Sequence, residues 1–386
     1  MSNDVQGTVA TGFDEVHTEF SAVVAEENGE SGAQLAAFVD GRLVVDLWAG
    51  AQVTGDTLTG LLSSTKGAAT VVVALLVQDG MIDLDRPVAV YWPEFAAAGK
   101  AAITLRQVLT NQSGVIGVDG GFTIAELCDD RVIAQRVAGQ RPFFRPGAAK
   151  GYGGFVTFAI LDAVIRRVMD SSIQDLFEER IGDPYDIDVF LGLPAAVDKR
   201  YLPVLPWLAT PEQEAAFEAN SPGPHSIAAI SYNINAPDFT PGDVLALSNN
   251  PALRANGPAS MGAVGSARGL ATMYAATIST VNGRPPLLKP DTLAEFTTIQ
   301  STAPDLVRGA GAPYLVGFEA KGLQYPFLAA NAFGHSGAGG SDAFADPHSA
   351  LSYGYTRRRA AFGFDAPENE RLAAALSRAA QRAILA

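Results

Sequence analysis

The 386-residue chain contains one cysteine, four histidines and six lysines. Each scarcity removes a class of chemistry. Cys128 is alone, so it can close no internal disulfide and form no Cys-x-x-Cys zinc pair; it reads as a buried, inert thiol. His17, His225, His335 and His348 show no metal-ligand spacing to one another, and no metal or other cofactor is expected. Positive charge is also short. Lys and Arg total 27 against 41 Asp and Glu, a net charge of −14. That balance argues against a nucleic-acid partner, which needs clustered cations to neutralise phosphates. The nearest basic run, Arg357-Arg358-Arg359, reads as a solvated strand end. No apolar stretch approaches the roughly 20 residues that span a bilayer. The segment from Met1 to Gly7 lacks the basic start and apolar stretch of a signal peptide. A cytoplasmic protein with no membrane partner is the expectation. There is no G-x-S-x-G elbow, P-loop or dinucleotide fingerprint. There is also no internal repeat or low-complexity linker, and nothing bears on subunit number.

What is present is the material of a large core, with 48% apolar and 18% charged residues. This length implies one large or two intimate domains. Phe13, Val16, Phe20, Val23 and Val24 recur at helical spacing and predict a helix over Phe13 to Glu27. Gln34 to Val39 and Arg42 to Trp48 flank Asp40-Gly41, a hairpin signal because the tight turn needs positive φ at both central residues. Further helices are expected over Thr104 to Leu109, Phe155 to Val168, Ile173 to Ile181, Ser266 to Ile278 and Pro367 to Leu385. Strands are expected over Tyr314 to Glu319, Ala343 to Ala345 and Ser349 to Tyr355. Residues 194–258 are punctuated by prolines and read as a long irregular segment with short helices such as Pro211 to Glu218 interleaved, of the kind that forms lids or pocket walls. The organisation expected is an α+β fold, with an antiparallel sheet built from both termini and flanked by helices (residues 1–62 and 265–386). A mostly helical unit, residues 63–264, is inserted between them.

The richest local pattern is Ser63-Ser64-Thr65-Lys66, which opens the most continuously apolar helix candidate, ending at Asp79-Gly80. Of the six lysines, only Lys66 has a serine three positions before it. Positions three apart share a helix face, so the Ser63 hydroxyl and Lys66 amine can meet. A serine hydroxyl needs a base to become a nucleophile. A lysine serves as one only if its pKa falls from about 10.4. Burial and the positive end of a helix both push it that way. The pattern therefore points to acyl transfer.

Two more elements fit that chemistry. Pro146-Gly147 followed by Tyr152-Gly153-Gly154 presents a tyrosine on glycine-rich backbone before an apolar helix. A tyrosine near a lysine could relay its proton to a leaving group. Gly334-His335-Ser336-Gly337-Ala338-Gly339-Gly340-Ser341 lets backbone approach a ligand closely. One of its N–H groups could join that of Ser63 in an oxyanion hole.

Together these elements, in this order, resemble the serine β-lactamase and penicillin-binding-protein superfamily. They are most similar to the class C β-lactamase-like esterases, the family VIII carboxylesterases. The likeness extends to the Asp-Gly hairpin, Gly80 to Asp85, Thr104 to Gly114, Gly192-Leu193-Pro194 and Ser266 to Leu270. The resemblance implies an antiparallel sheet flanked by helices, beside a helical domain, with the site between them. It implies Ser63 as the acylated nucleophile, Lys66 and Tyr152 as the proton-transfer pair, and the N–H groups of Ser63 and Ala338 as the oxyanion hole. His335, Ser336, Gly337 and Gly154 would contact substrate.

Two departures from the β-lactamase pattern bear on substrate. Gly154 stands where the tyrosine motif carries asparagine, which removes an amide donor. His335 stands where the Lys-Thr/Ser-Gly motif carries lysine, and a histidine is mostly neutral at pH 7. Both weaken recognition of an anionic β-lactam, whereas a neutral ester needs neither contact. The expectation is therefore a carboxylesterase acting on small, short-chain esters as its small-molecule partners. The alternatives are a β-lactamase or amide-cleaving peptidase on the same scaffold, and a catalytically silent binding member. Trp207 and nearby aromatics in the irregular segment are expected to shape substrate choice.

Overall fold

A computed structural model describes residues 4–27, 29–301, 304–309, 314–364 and 366–385. Met1 to Asn3, the start of the segment read for a signal peptide, lie outside them. Ten strands are described: β1 (Gln6–Val9), β2 (Ala33–Val39), β3 (Arg42–Ala49), β4 (Thr59–Gly60), β5 (Val189–Phe190), β6 (Val264–Gly265), β7 (Glu319–Ala320), β8 (Phe333–Ser336), β9 (Asp342–Asp346) and β10 (Leu351–Arg357). Seven form one sheet in the order β1-β3-β2-β10-β9-β8-β7, with every pairing antiparallel. β2 from the first part of the chain pairs with β10 from the last, so both ends of the chain build the sheet. A small sheet, β4-β6-β5, lies beside the segment that carries Ser63.

The hairpin forms as its turn residues dictate: Asp40 and Gly41 take φ of 49° and 69°. Alternation along the strands then sorts the two faces of the sheet. Ala33, Leu35 and Ala37 of β2, with Leu351, Tyr353 and Tyr355 of β10, pack with Phe20, Val24, Leu372 and Leu376 of the first and last helices (Asp14–Glu26 and Glu368–Leu385). Ala36 and Phe38 point to the other core, which contains helices Thr65–Gln78 and Ala267–Ile278. Gly354 lets the second of these helices approach, since a Cβ there would sit 2.2 Å from the Ala267 carbonyl oxygen.

Several helices start where side-chain caps dictate. Thr104 caps Leu105–Leu109 with Gln107 in a reciprocal capping box, and Ser266 caps Ala267–Ile278. The helix expected over Phe155 to Val168 runs Thr157–Met169. Ile173–Phe177 is α-helical, but the expected continuation to Ile181 widens into a π-turn over Glu178–Gly182. Asp130–Gly139 is a helix that the periodicity reading passes over, its buried apolar stripe being only Ile133, Ala134 and Val137.

The expected strand over Tyr314 to Glu319 does not form as such. Gly317 takes φ of +76° beneath Thr70, and only Glu319–Ala320 pairs in the sheet. In the proline-rich segment the short helix expected over Pro211 to Glu218 forms as Pro211–Ala219, and others join it. Pro211, Pro241 and Pro251 each occupy the first turn of a short helix, where the missing N–H costs nothing. The basic triplet is not a solvated end. Arg357 pairs with Glu27 and Glu368, and Arg358 pairs with Glu30. Cys128 is buried, as expected, and burial pushes its thiol pKa up. Among the described residues no helix is long and apolar enough to cross a membrane.

Candidate active site

The chain leaves β4 through Leu61 and Leu62, makes a 3-10 turn over Leu62–Ser64, and continues directly into helix Thr65–Gln78. Ser63 therefore sits on the tight turn before the helix rather than within it. Leu62 takes φ of 47°, a conformation that costs a branched side chain energy and persists only when its surroundings enforce it. The enforcement is visible. Leu62 is buried with Val204, Leu245 and Ala360. The Thr65 hydroxyl donates to the Leu62 carbonyl at 2.5 Å and accepts the Ala263 N–H at 3.0 Å. Ser341 Oγ donates to the Leu61 carbonyl at 3.1 Å, tying the glycine-rich loop to the same turn. Thr65 through Leu76 are all buried, Lys66 in the first turn among them.

Ser63 Oγ has two titratable partners. Lys66 Nζ lies 3.2 Å away, and the Tyr152 hydroxyl donates to it at 2.8 Å. Lys66 Nζ also donates to the carbonyls of Gly154 and Ser260, each at 2.7 Å. Burial pulls the Lys66 pKa down to about 7, with Arg308 helping and Glu319 and Asp130 opposing. Burial pushes the Tyr152 phenol above its usual range, so it stays protonated. Its backbone is fixed from several sides. Asp305 accepts the Tyr152 N–H at 3.3 Å, Asn111 accepts the Gly153 N–H at 3.2 Å, and Ser231 Oγ donates to the Tyr152 carbonyl at 2.5 Å. Gly67, beside Lys66, leaves room for Tyr274, whose hydroxyl would lie 2.1 Å from a Cβ there.

The loop after β8 closes on itself, with Gly337 N–H donating to the Ser341 carbonyl and Gly340 N–H to that of Gly337, both at 2.8 Å. A Cβ on Gly337 would meet the Leu61 carbonyl oxygen at 2.3 Å, so only glycine permits this approach to the Ser63 turn. Neither Ser63 N–H nor Ala338 N–H donates within the backbone network of the described residues.

A cavity of about 380 Å³ opens over Ser63. Tyr152, Ser336, Gly337 and Ala338 line it, as do Tyr232, Arg308, Glu319, Asp342 and Phe364. Two residues expected at substrate are placed behind the wall. Gly154 serves through its carbonyl on Lys66, and a Cβ there would sit 2.6 Å from the Ser231 carbonyl oxygen. His335 is 2% exposed, and its Nδ1 donates to the Ser336 carbonyl at 2.8 Å. Burial, reinforced by Lys66, outweighs the pull of Glu319 and brings its pKa down to about 4, so it is neutral.

Sequence reasoning missed the charged wall of this cavity. Glu319 accepts from Arg308 at 2.6 Å, Lys321 at 2.9 Å, and the Ser336 N–H and Oγ at 2.9 and 2.6 Å. Lys321 also reaches Asp342 at 2.6 Å. Burial opposes ionisation of Glu319, but Lys321, His335 and Arg308 outweigh it and hold the carboxyl well below its usual range. Glu319 and Lys321 are two apart around the short strand β7, a spacing that places both side chains on one face. Arg308 and Tyr232 gave no comparable signal. Among the described residues no cluster of His, Cys, Asp and Glu could hold a metal ion.

The chain is similar to known proteins over most of its length. The Beta-lactamase family model matches residues 15–377. The protein named Esterase/beta-lactamase LipL, from Mycobacterium tuberculosis, is 29% identical over 353 residues, covering 85% of this chain and 77% of that protein. The structure of EstA from Arthrobacter nitroguajacolicus Rue61a is 33% identical, with a TM-score of 0.88 over 98% of this chain and 99% of that one. A family VIII carboxylesterase crystal structure is 31% identical, with a TM-score of 0.85 over 97% of this chain and 100% of that one. A D-amino acid amidase from Ochrobactrum anthropi SV3, 18% identical at a TM-score of 0.70 over 96% of this chain and 98% of that one, shares the fold. The chain belongs to the Beta-lactamase family and is a serine hydrolase built on its fold.

Proposed function

We propose that the protein is a carboxylesterase that cleaves small, short-chain esters through an acyl-enzyme on Ser63. The observation that carries this reading is the contact of both Lys66 Nζ and the Tyr152 hydroxyl with one serine oxygen at the floor of a cavity. A neutral lysine amine has two N–H bonds and one lone pair. The carbonyls of Gly154 and Ser260 take the two N–H bonds, which leaves the lone pair for the Ser63 proton. Ser63 attacks the ester carbonyl as Lys66 accepts that proton. The N–H groups of Ser63 and Ala338 hold the developing oxyanion. Tyr152 gives its proton to the departing alkoxide and recovers one from Lys66. Water then releases the acid by the same steps in reverse order. In this proposal Ser63 lies at the seam between the sheet unit (1–62 with 265–386) and the helical unit (63–264).

Ester rather than β-lactam chemistry is favoured by the same two departures. His335 is neutral and behind the wall, and Gly154 offers no side chain. The likeness to EstA and to a family VIII carboxylesterase, each above 30% identity, supports this choice. Ser63→Ala is expected to abolish turnover of p-nitrophenyl acetate while leaving the thermal transition in place. Retained turnover would reject the assignment. One observation favours a second reading, β-lactam or amide cleavage: Arg308 lines the cavity and could meet a carboxylate. Nitrocefin hydrolysis as fast as ester turnover would establish that reading.

A further inference from the structure

The cavity lining has two chemically different parts. One is the charged wall of Arg308, Glu319 and Asp342. The other is aromatic, with Tyr232 and Phe364 in the lining. The aromatic part does not stop at the lining. Phe364 packs on Trp207 at 5.5 Å between ring centroids, and Trp207 packs on Phe362 at 5.5 Å and Phe217 at 5.3 Å, all edge to face. Tyr232 lies parallel to Phe364 at 6.4 Å and is 6.2 Å from the ring of Tyr152. Trp207, Phe364 and Ala338 also pack on the buried group around Leu62, the residue before the nucleophile. A continuous aromatic surface therefore runs outward from Tyr152.

Its far wall is unusual. Helix Pro211–Ala219 buries none of its residues, and only Phe217 is even half-buried. Packing supplies most helix stability in proteins, so a nine-residue helix with no buried face is held chiefly by what that one ring touches. Phe217 lies 6.4 Å from Phe364. Tyr232 and Phe364 line the cavity, and the half-buried rings of Trp207, Phe362 and Phe217 extend that cluster, an apolar wall of the kind with which ligand pockets bury a hydrocarbon group.

We propose that Tyr232, Phe364, Trp207, Phe362 and Phe217 form an apolar subsite for an aryl or similarly bulky hydrocarbon group of the ester, with helix Pro211–Ala219 as its outer wall. The inference rests on the esterase reading and narrows its substrate class. A cavity of about 380 Å³ suits an ester with one ring and one short chain. The ring could belong to either half of the ester, and the test separates the two.

The experiment compares kcat/KM for ethyl acetate, benzyl acetate and ethyl phenylacetate in the unaltered enzyme, Phe364→Ala and Phe217→Ala. Fluorophosphonate labelling of Ser63 identifies folded variants, and Phe364→Leu replaces Phe364→Ala if the latter does not fold. In Phe364→Ala we expect the preference for one ring-bearing ester over ethyl acetate to fall about ten-fold. A fall for benzyl acetate assigns the subsite to the alcohol half, and one for ethyl phenylacetate assigns it to the acyl half. Phe217→Ala should lower the same preference about three-fold. Preferences unchanged in both variants would overturn the subsite while ethyl acetate turnover still upholds the esterase. If the unaltered enzyme cleaves none of the three esters, the esterase reading itself falls.

Discussion

Arg308 donates to Glu319 at 2.6 Å, and the two act on Lys66 with opposite sign. The Glu319 carboxylate favours the charged amine and the Arg308 guanidinium disfavours it. Each also neutralises the other beside the nucleophile. Their balance, added to burial, leaves Lys66 near pH 7, where half of the molecules hold a free base.

The first consequence is a pH profile. kcat/KM for a neutral ester should rise with pH along a single-proton limb centred near 7, because only the neutral amine accepts the Ser63 proton. A limb near 10 would mean that burial does not depress Lys66. Lys66→Met should cost roughly a thousand-fold or more in kcat. It should also stabilise the fold. The folded pKa lies below the unfolded one, so at pH 7 and below the native state carries a buried charge that the unfolded chain solvates freely. That penalty disappears as pH rises from 7 toward 10.5. Thermal transitions of Lys66→Met and the unaltered protein at pH 6 and pH 10 should differ most at pH 6.

Removing either member of the charged pair should move the limb, in opposite directions. Without Glu319 the amine loses its attractive partner, so Glu319→Gln should shift the limb below pH 7. Without Arg308 it loses a repulsive one, so Arg308→Gln should shift it above. Glu319→Gln also takes the carboxylate from Arg308, a change that costs about 3–5 kcal/mol when a buried pair is broken, while Lys321 keeps Asp342. A merely structural Glu319 would lower the thermal transition without moving the limb, so pH profiles of both variants decide the point.

Much of this site was legible in the chain, for identifiable reasons. Ser63, Lys66 and Tyr152 carry rare local signals: a serine three before a lysine, and a tyrosine inside a proline-glycine turn. The hairpin at Asp40-Gly41 and the short helix expected over Thr104 to Leu109 are equally local, and both form. The charged wall was not legible, because Arg308 reaches Glu319 only through a turn and a short strand with no periodicity. Tyr232 was hidden likewise, just after a five-residue helix, Ile227–Ser231, too short to show a periodicity. His335 was legible as a residue but not as a placement. Its ring turns inward to its neighbour's carbonyl, a choice set by Glu319 and Ser336 rather than by sequence.

A second buried proton is expected away from the cavity. Asp130 Oδ2 accepts from Gln174 Nε2 at 3.0 Å and from Ala259 N–H at 2.8 Å. Asp130 Oδ1 and Gln174 Oε1 are buried, and neither has a donor among the described residues. One proton on Asp130 would satisfy both oxygens, by pairing acid and amide reciprocally. Burial and the neighbouring Asp162 raise the Asp130 pKa to about 7, in keeping with that proton. The folded pKa then exceeds the unfolded one, so stability should decline as pH rises from 4 through 7. Asp130→Asn keeps the reciprocal pairing without a titrating proton. Its thermal transition should exceed that of the unaltered protein by a few degrees at pH 8 and match it near pH 5. A variant that is less stable at both values would show that Asp130 is needed as a carboxylate.

The final prediction concerns the asparagine that β-lactamases carry and this chain lacks. Restoring it by Gly154→Asn would place a Cβ 2.6 Å from the Ser231 carbonyl oxygen. Backbone stands at that contact, so the turn holding Gly154 has to move rather than a flexible side chain. The Gly154 carbonyl is one of the two acceptors that orient Lys66, and Ser231 Oγ fixes the Tyr152 carbonyl. Movement there disturbs base and proton donor together. The variant should therefore lose about ten-fold or more in kcat on p-nitrophenyl acetate, with little change in KM, because positioning rather than ester binding is damaged. It should gain no nitrocefin activity, since His335 stays neutral behind the wall. Steady-state kinetics on both substrates check this. A rise in nitrocefin turnover at undiminished esterase kcat would mean that the residue at 154 selects substrate directly and that Ser231 yields without cost.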